Sequence, residues 1–562
     1  MAGGLDPEKQ GGQFAPPTDP EHPTLTHDTG VLPGHRALRS TRSVDWIRPV
    51  RLHWAKESCL ISHSDVICTR LFVKREIQAL VRIWSRRAFV ASAGALAGTT
   101  LLACRDPASL PSAENPQPSN ATRLQAKSRT LEINGKAATL MGLEQANGKS
   151  GLSFVAGQPF NVLLENRLSV PTAIHWHGLH PPNNQDGVPG LTQPVIAPSS
   201  SALYNFPVQP AGTHWMHSHE GLQEAFLLSA PLIVHDPSDK ADEQEIIVFL
   251  GDFSFTPPME IYARLRKPAG KAMAMSGNMA AKGMAMGKPD TSDVDYDAYL
   301  INDRTLADPQ VVPVEKNGRV RLRIINGSSG TNFFVDLGHL KGELIATDGM
   351  PVNPVSGSRF PLAIAQRMDV RVQLPDDGAF PILALRENAT ERAGIILATP
   401  GAAIKKISVQ NGSPAGILTL DLEKQLSAVS PLAPRPIDQS FDLRLEGDMA
   451  RYEWPINGIV FDTANPGTQK AQVHVKRGQR VALKFINETG MSHPMHLHGH
   501  SFQVIEIDGT PLSGAVRDTV LVPPKTSVTV AFDANNPGVW YVHCHILWHL
   551  AAGMATLVQY EA

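Results

Sequence analysis

Ten of the 21 histidines fall into four short clusters, and one cysteine stands inside the last of them. The clusters are His175-x-His177, His217-x-His219, His493-x-x-His496-x-His498, and His543-Cys544-His545 followed by His549. Imidazole and thiolate together suit copper, zinc or iron. A single His-x-His pair is as well explained by a solvated surface as by a site. Four clusters placed symmetrically in two similar stretches of chain require a shared role, and metal binding supplies one.

On a β-strand, residues i and i+2 share a face and i+1 points to the other. His543 and His545 therefore face one way and Cys544 the other. Cys544 can join His493, His549 and Met554 within one stretch of chain. Two His, one Cys and a weak axial Met form a blue-copper electron-transfer site. The flanking pair, with His496 and His498, can face another part of the chain and meet His175, His177, His217 and His219. Eight imidazoles are too many for one metal and suit about three coppers.

The elements that must hold these groups repeat. Gly157–Asn166, Gly318–Asn326 and Gly478–Asn487 are each a glycine turn, an alternating strand and an asparagine, about 160 residues apart. That spacing suits a β-sandwich domain and far exceeds a solenoid unit. In the first and third copies His175-Trp-His177-Gly parallels His496-Leu-His498-Gly, and His217-Ser-His219 parallels His543-Cys-His545. Opposite His493, Cys544, His549 and Met554 the first copy has Thr172, Ser218, Gln223 and Leu228. The middle copy has neither motif. The expected fold is all-β, three consecutive Greek-key β-sandwiches over residues 126–237, 243–400 and 405–562, with chemistry in the outer two. With 45 Gly and 45 Pro among 562 residues, the composition suits many short strands and turns. A formal net charge of −2 gives no argument for a nucleic-acid partner.

With these motifs, residues 128–562 resemble the bacterial three-domain multicopper oxidases, which include laccases and cuprous oxidases. The resemblance implies cupredoxin domains and four copper ions. A type 1 copper would sit on His493, Cys544, His549 and Met554, and a type 2 copper on His175 and His496. A type 3 pair would sit on His177, His217, His219, His498, His543 and His545. It also implies that electrons taken singly from a small donor pass from Cys544 into His543 and His545 and reduce dioxygen to water. Oxygen reduction consumes protons, so an acid belongs near the cluster. Asp186 matches the family's acidic residue near the type 2 copper, although its Asp-Gly context is also turn-forming. The family often carries a second acid within or just after the His-Cys-His-x-x-x-His segment. Here Ile546, Leu547, Trp548, Leu550 and Ala551 stand there, which leaves the second proton path open.

Two segments lie outside the repeats. Ser85-Arg86-Arg87-Ala88-Phe89-Val90 and the apolar run after it resemble a twin-arginine export signal over 82–104. Leu101-Leu102-Ala103-Cys104 resembles a lipoprotein cleavage box, which implies a lipid anchor on Cys104 and a periplasmic or cell-envelope location. A cleaved signal with an incidental cysteine is the alternative. Residues 1–81, which contain Cys59 and Cys68, are then expected to be a non-native or disordered extension, and 105–125 a linker. The second segment is 267–290, with Met273, Met275, Met279, Met284 and Met286. Soft thioethers favour Cu(I), so it is expected to recruit Cu(I); a disordered loop or a short surface helix with incidental methionines is the alternative. The expected donors are Cu(I), phenols or both. A copper-sequestering resistance protein with incidental oxidase activity is the competing function.

Overall fold

The computed structural model describes residues 120–267 and 291–561. The expectations for residues 1–81 and 82–104, including Cys104, and for Met273 to Met286 lie outside the described residues. Every strand ladder joins strands within one of three blocks of sequence, and each block forms two facing sheets. The first block, Thr122 to His235, has two four-stranded sheets. The second, Gln244 to Ala398, and the third, Gln439 to Tyr560, each have a six- and a five-stranded sheet. The first strand, Thr122–Ile133, begins inside the expected linker. Leu124 and Ala126 alternate inward to complete burial, and Leu124 registers with Leu164.

The repeated asparagine explains the repeated strand. Asn166, Asn326 and Asn487 are all buried. The side-chain amide of each donates to two or more backbone carbonyls: Val170 and Ile196 for Asn166, Thr331 and Leu362 for Asn326, Met491 and Val522 for Asn487. The side-chain carbonyl accepts a backbone N–H two residues on, from Leu168, Ser328 and Thr489. One buried amide, fully bonded, fixes the loop that leads into the next strand. In the first and third blocks that strand is Ile174–His175 or His493–Leu497 and carries the ligand motif. In the middle block it is Phe333–Asp336 and carries no histidine.

The ladders set the motifs side by side. In the third block Met495 pairs with Cys544 and His496 with His543. In the first, Ile174 pairs with Ser218 and His175 with His217. The two sites are therefore built in the same register. The apolar core of the third sandwich continues into Trp215 and Leu222 of the first and Ile325 and Ile364 of the second, so the blocks share a core where they meet.

Candidate metal centre

Cys544 is buried and is the one cysteine among the described residues. Its Sγ lies 3.7 Å from His493 Nδ1 and 3.8 Å from His549 Nδ1, and the two Nδ1 atoms are 3.1 Å apart. The other nitrogen of each imidazole meets a polar group, by a hydrogen bond for His493 and an ion-pair contact for His549. His493 Nε2 meets Thr489 Oγ1 at 2.7 Å, and His549 Nε2 lies 3.0 Å from Asp293 Oδ2. Met554 is fully buried, and its backbone carbonyl accepts the Cys544 N–H at 3.0 Å. Trp454 packs on the His549 ring at 4.0 Å between centroids. Burial pushes the Cys544 thiol up, so a thiolate here requires an adjacent cation.

The strand alternation sends His543 and His545 to the opposite side, where all eight remaining ligand candidates meet. Ligand atoms of His175, His177 and His496 lie within 4.8 Å of one another; so do those of His177, His217 and His545, and those of His219, His498 and His543. Each triad mixes the first and third sandwiches. The tautomers follow from the outer partners, because a carbonyl can only accept. His175 Nδ1 donates to Asp186 O at 2.9 Å, His496 Nδ1 to Asp518 O at 2.8 Å, and His543 Nδ1 to Cys544 O at 3.0 Å. Nε2 is thus left to face inward; His498 and His543 Nε2 are 3.0 Å apart, and those of His217 and His545 3.3 Å. His177 is reversed: its Nε2 meets Asp518 Oδ1 at 3.0 Å, leaving Nδ1 inward.

Four of these inward nitrogens, His175 Nε2, His177 Nδ1, His219 Nε2 and His496 Nε2, are buried with no hydrogen-bond partner. Such orphans are rare and costly unless a cation satisfies them. Burial, reinforced by the neighbouring rings, holds His177, His217, His219, His498, His543 and His545 well below the usual imidazole range, in the neutral form that binds metal. The donor set therefore fits copper.

Three carboxylates reach these rings. Asp186 is fully buried; its Oδ2 lies 2.8 Å from His498 Nδ1 and its Oδ1 3.2 Å from His175 Nδ1. Gly187 has φ +90°, and a Cβ there would sit 1.9 Å from the Ile174 carbonyl, so only glycine lets this loop close over His175. The other two were not legible as site residues in the sequence. Asp518 joins His177 and His496 from the third sandwich. Burial opposes its charge, yet Arg367 and His177 hold it well below the usual carboxylate range. Glu224 lies 2.7 Å from His217 Nδ1 and 4.0 Å from His545 Nδ1. Burial pushes the Glu224 carboxyl up. For Glu224 the one available signal was its place seven residues after His217; Asp518 had none.

The position in the first sandwich that corresponds to the cysteine site is filled by a polar knot. Thr172 and Ser218 both donate to Gln223 Oε1, at 2.8 and 2.9 Å, and Gln223 Nε2 donates to Pro171 O at 2.7 Å. Leu228 is buried beside them. Three other described histidines pack close to the site. His214 packs against Arg367, His500 bonds Tyr560 and the His498 carbonyl, and His180 bonds Ser501. His235 and His474 are at the surface. Of the cluster histidines only His219 escapes full burial. It opens on a cavity of about 670 Å³ that is also lined by Glu220, Tyr541, Leu547 and Met259.

Stacked β-sandwiches with this donor set define a copper-binding oxidoreductase. Family models described as multicopper oxidase match residues 125–239, 245–403 and 435–562. Multicopper oxidase MmcO of Mycobacterium tuberculosis is 33% identical over 503 residues, covering 85% of this chain and 97% of its own. Copper resistance protein A of Escherichia coli is 26% identical, covering 78% and 94%. Among solved structures, Fet3p, a multicopper oxidase that functions in iron import, matches with TM-score 0.65 at 21% identity, over 78% of this chain and 90% of its own. A multicopper oxidase from Pseudomonas thermotolerans matches with TM-score 0.61 at 22% identity, over 78% and 99%. These two structures show the fold. The chain belongs to the multicopper oxidase family. It is an oxidoreductase that uses copper and takes dioxygen as acceptor.

Proposed function

We propose that the chain holds four coppers and oxidises Cu(I), phenols or both at the cysteine site. His493, Cys544, His549 and Met554 would bind the type 1 ion, and His175 and His496 the type 2 ion. His177, His217 and His545 would bind one type 3 ion, and His219, His498 and His543 the other. Bound there, copper supplies one-electron transfer and the reduction of dioxygen. The observation that carries this reading is the junction at Cys544: its thiol meets two imidazoles, while the adjoining His543 and His545 join His496 and His498 of their own sandwich and four more imidazoles across the interface.

The chain's own groups divide the remaining work. His549 Nε2 leads outward to Asp293, which also accepts the Tyr452 hydroxyl at 2.8 Å. Asp293 Oδ1 has no hydrogen-bond partner. This carboxylate lies just after the methionine-bearing segment 267–290, which supports a cationic donor such as Cu(I) beside His549. Asp186 Oδ1, also without a hydrogen bond, is available to hold a proton beside His175 and His498. The cavity at His219 supports a route for dioxygen and water. Residues 82–104 support export by the twin-arginine route to the cell envelope, with Cys104 as the site of a lipid anchor.

Oxygen uptake by the copper-loaded protein, with Cu(I) and with a methoxyphenol as donors, tests the reading. Uptake with Cu(I) that is lost on deleting residues 267–290, with phenol oxidation kept, identifies a cuprous oxidase. Uptake with the phenol alone makes the chain a laccase. No uptake with either donor, copper present, overturns the oxidase reading in favour of sequestration.

A further inference from the structure

A buried carboxylate of the first sandwich stands behind His545, the residue that follows Cys544. Around Cys544 the chain is apolar, with Ile546, Leu547 and Trp548 buried and carrying no carboxylate. The far side of the same histidines holds Glu224, itself 4% exposed. Its Oε2 lies 2.7 Å from His217 Nδ1 and its Oε1 4.0 Å from His545 Nδ1, ion-pair contacts in which neither His217 Nδ1 nor Glu224 Oε1 makes a hydrogen bond. One carboxylate thus stands behind two rings that come from different sandwiches and whose Nε2 atoms approach within 3.3 Å.

The repeat explains how it comes to be there. Glu224 lies in the short 3₁₀ turn Gln223–Phe226, just after the His217-Ser-His219 strand. Gln223 corresponds to His549 and Glu224 to Leu550. In the third sandwich this turn delivers a ligand toward Cys544. In the first sandwich Gln223 is tied to Thr172, Ser218 and Pro171, at the place where the third sandwich keeps its cysteine site. Three hydrogen bonds anchor the turn, and its next residue is set against His217. Leu227 closes the turn at φ +61°, and its N–H bonds the Glu224 carbonyl at 2.9 Å. The knot that replaces a metal site in one domain therefore aims a carboxylate at the metal interface.

We propose that Glu224 is a positioning residue for the metal interface, holding His217 with Nδ1 outward and Nε2 inward, and backing His545 across the domain boundary. A carboxylate behind a ligating imidazole fixes its tautomer and ring orientation, and losing such a partner costs roughly 10- to 100-fold in metal affinity. The proposal rests on assigning His217 and His545 to one type 3 ion.

The test compares copper-loaded wild type, Glu224→Ala and Glu224→Gln. Three quantities are read: copper per chain after a fixed chelator challenge, the visible thiolate–copper band of Cys544, and the electron paramagnetic resonance signal. Wild type is expected to hold four coppers, with the type 3 pair silent by mutual coupling. Glu224→Ala is expected to keep the visible band, lose cluster copper to chelator about 10- to 100-fold more readily, and show a new signal from an uncoupled ion. Glu224→Gln, which keeps an oxygen acceptor, is expected to fall between. A merely structural role would weaken all coppers together and leave no such split. Wild-type retention and a silent pair in Glu224→Ala overturn the proposal. If the alanine chain lacks the visible band and has not folded, wild-type chelator resistance in Glu224→Gln overturns it instead. A wild type holding copper only at Cys544 would defeat the cluster assignment itself, a result distinct from either.

Discussion

Arg367 of the middle sandwich and Asp518 of the third form a fully buried, two-pronged ion pair, with Nη1–Oδ1 2.6 Å and Nη2–Oδ2 2.5 Å. Asp518 Oδ1 also receives His177 Nε2, and the Arg367 Nε donates to the Thr213 carbonyl of the first sandwich. All three sandwiches meet at this pair. Gly178 leaves room for it, since a Cβ there would lie 2.5 Å from Arg367 Nη2. The middle sandwich carries no ligand motif, yet it supplies the charge that keeps Asp518 ionised beside His177.

Removing one partner of a buried ion pair strands the other, at a cost of about 3–5 kcal/mol. Arg367→Met is therefore expected to lower unfolding stability by about that amount and to weaken copper retention at His177. Arg367→Met with Asp518→Asn removes both charges and is expected to recover part of the loss. Chemical denaturation of the two single variants and the double variant checks this as a coupling cycle.

The thiolate site and the imidazole interface share a strand but no ligand. Cys544→Ser is expected to abolish the visible thiolate–copper band and donor oxidation while leaving the eight-histidine interface able to hold its copper. Absorption, copper analysis and donor-dependent oxygen uptake on one preparation check this. Loss of all copper together would show that the two sites do not form independently.

Much of this site was legible because strands convert sequence parity into direction. The alternation of His543, Cys544 and His545 was enough to separate the thiol from its neighbours, and the ladder Met495–Cys544 beside His496–His543 places them so. The three-fold repeat was legible from its glycine and asparagine, and the buried bonding of Asn166, Asn326 and Asn487 gives the reason. Asp518, Glu224 and Arg367 were not legible. Asp518 reaches His177, Glu224 reaches His545 and Arg367 reaches Asp518 across domain boundaries, about 150 to 340 residues away in sequence. No local period encodes such a contact. Asp293 was hidden for the same reason, standing 256 residues before His549 and outside every motif.

The three histidines packed close to the site give the apoprotein a pH dependence. Burial lowers His180 to about 4, and His214 and His500 to about 3, each from an ordinary value near 6.5. All three are neutral when folded and become protonated in the unfolded chain once pH falls below about 6.5. The unfolded state then binds more protons, so stability is full above that pH and falls as pH drops toward 4. The slope from three such groups approaches about 4 kcal/mol per pH unit. Thermal melts of copper-free protein between pH 7.5 and about 4.5 check the sign. A melting temperature that rises on acidification would refute it.

Asp186 touches two rings of the interface from a loop that only Gly187 permits. Asp186→Asn keeps the shape and the acceptor carbonyl but cannot carry a proton through its side chain. Positioned acid–base groups contribute roughly 10²- to 10⁴-fold. The variant is expected to retain its copper and its rate of reduction by donor, and to lose a factor in that range from the reoxidation by dioxygen. Stopped-flow reduction and reoxidation, measured separately, check the division. A loss confined to the reduction step would remove Asp186 from the proton path.

Asp293 separates donors by charge. It lies 3.0 Å from His549 Nε2 and is itself buried, with one oxygen bound to Tyr452 and the other unpaired. A carboxylate in that position attracts a cation and contributes little to a neutral phenol, since interaction energy scales with the partner's charge. Asp293→Asn is expected to raise KM for Cu(I) by about tenfold, equivalent to roughly 1.4 kcal/mol of lost binding, and to change KM for a methoxyphenol much less. Steady-state oxygen uptake with each donor on the same copper-loaded preparation reads the two constants side by side. Equal losses with both donors would mean that Asp293 serves only to orient His549, and the preference for a cationic donor would then have to come from another part of the chain.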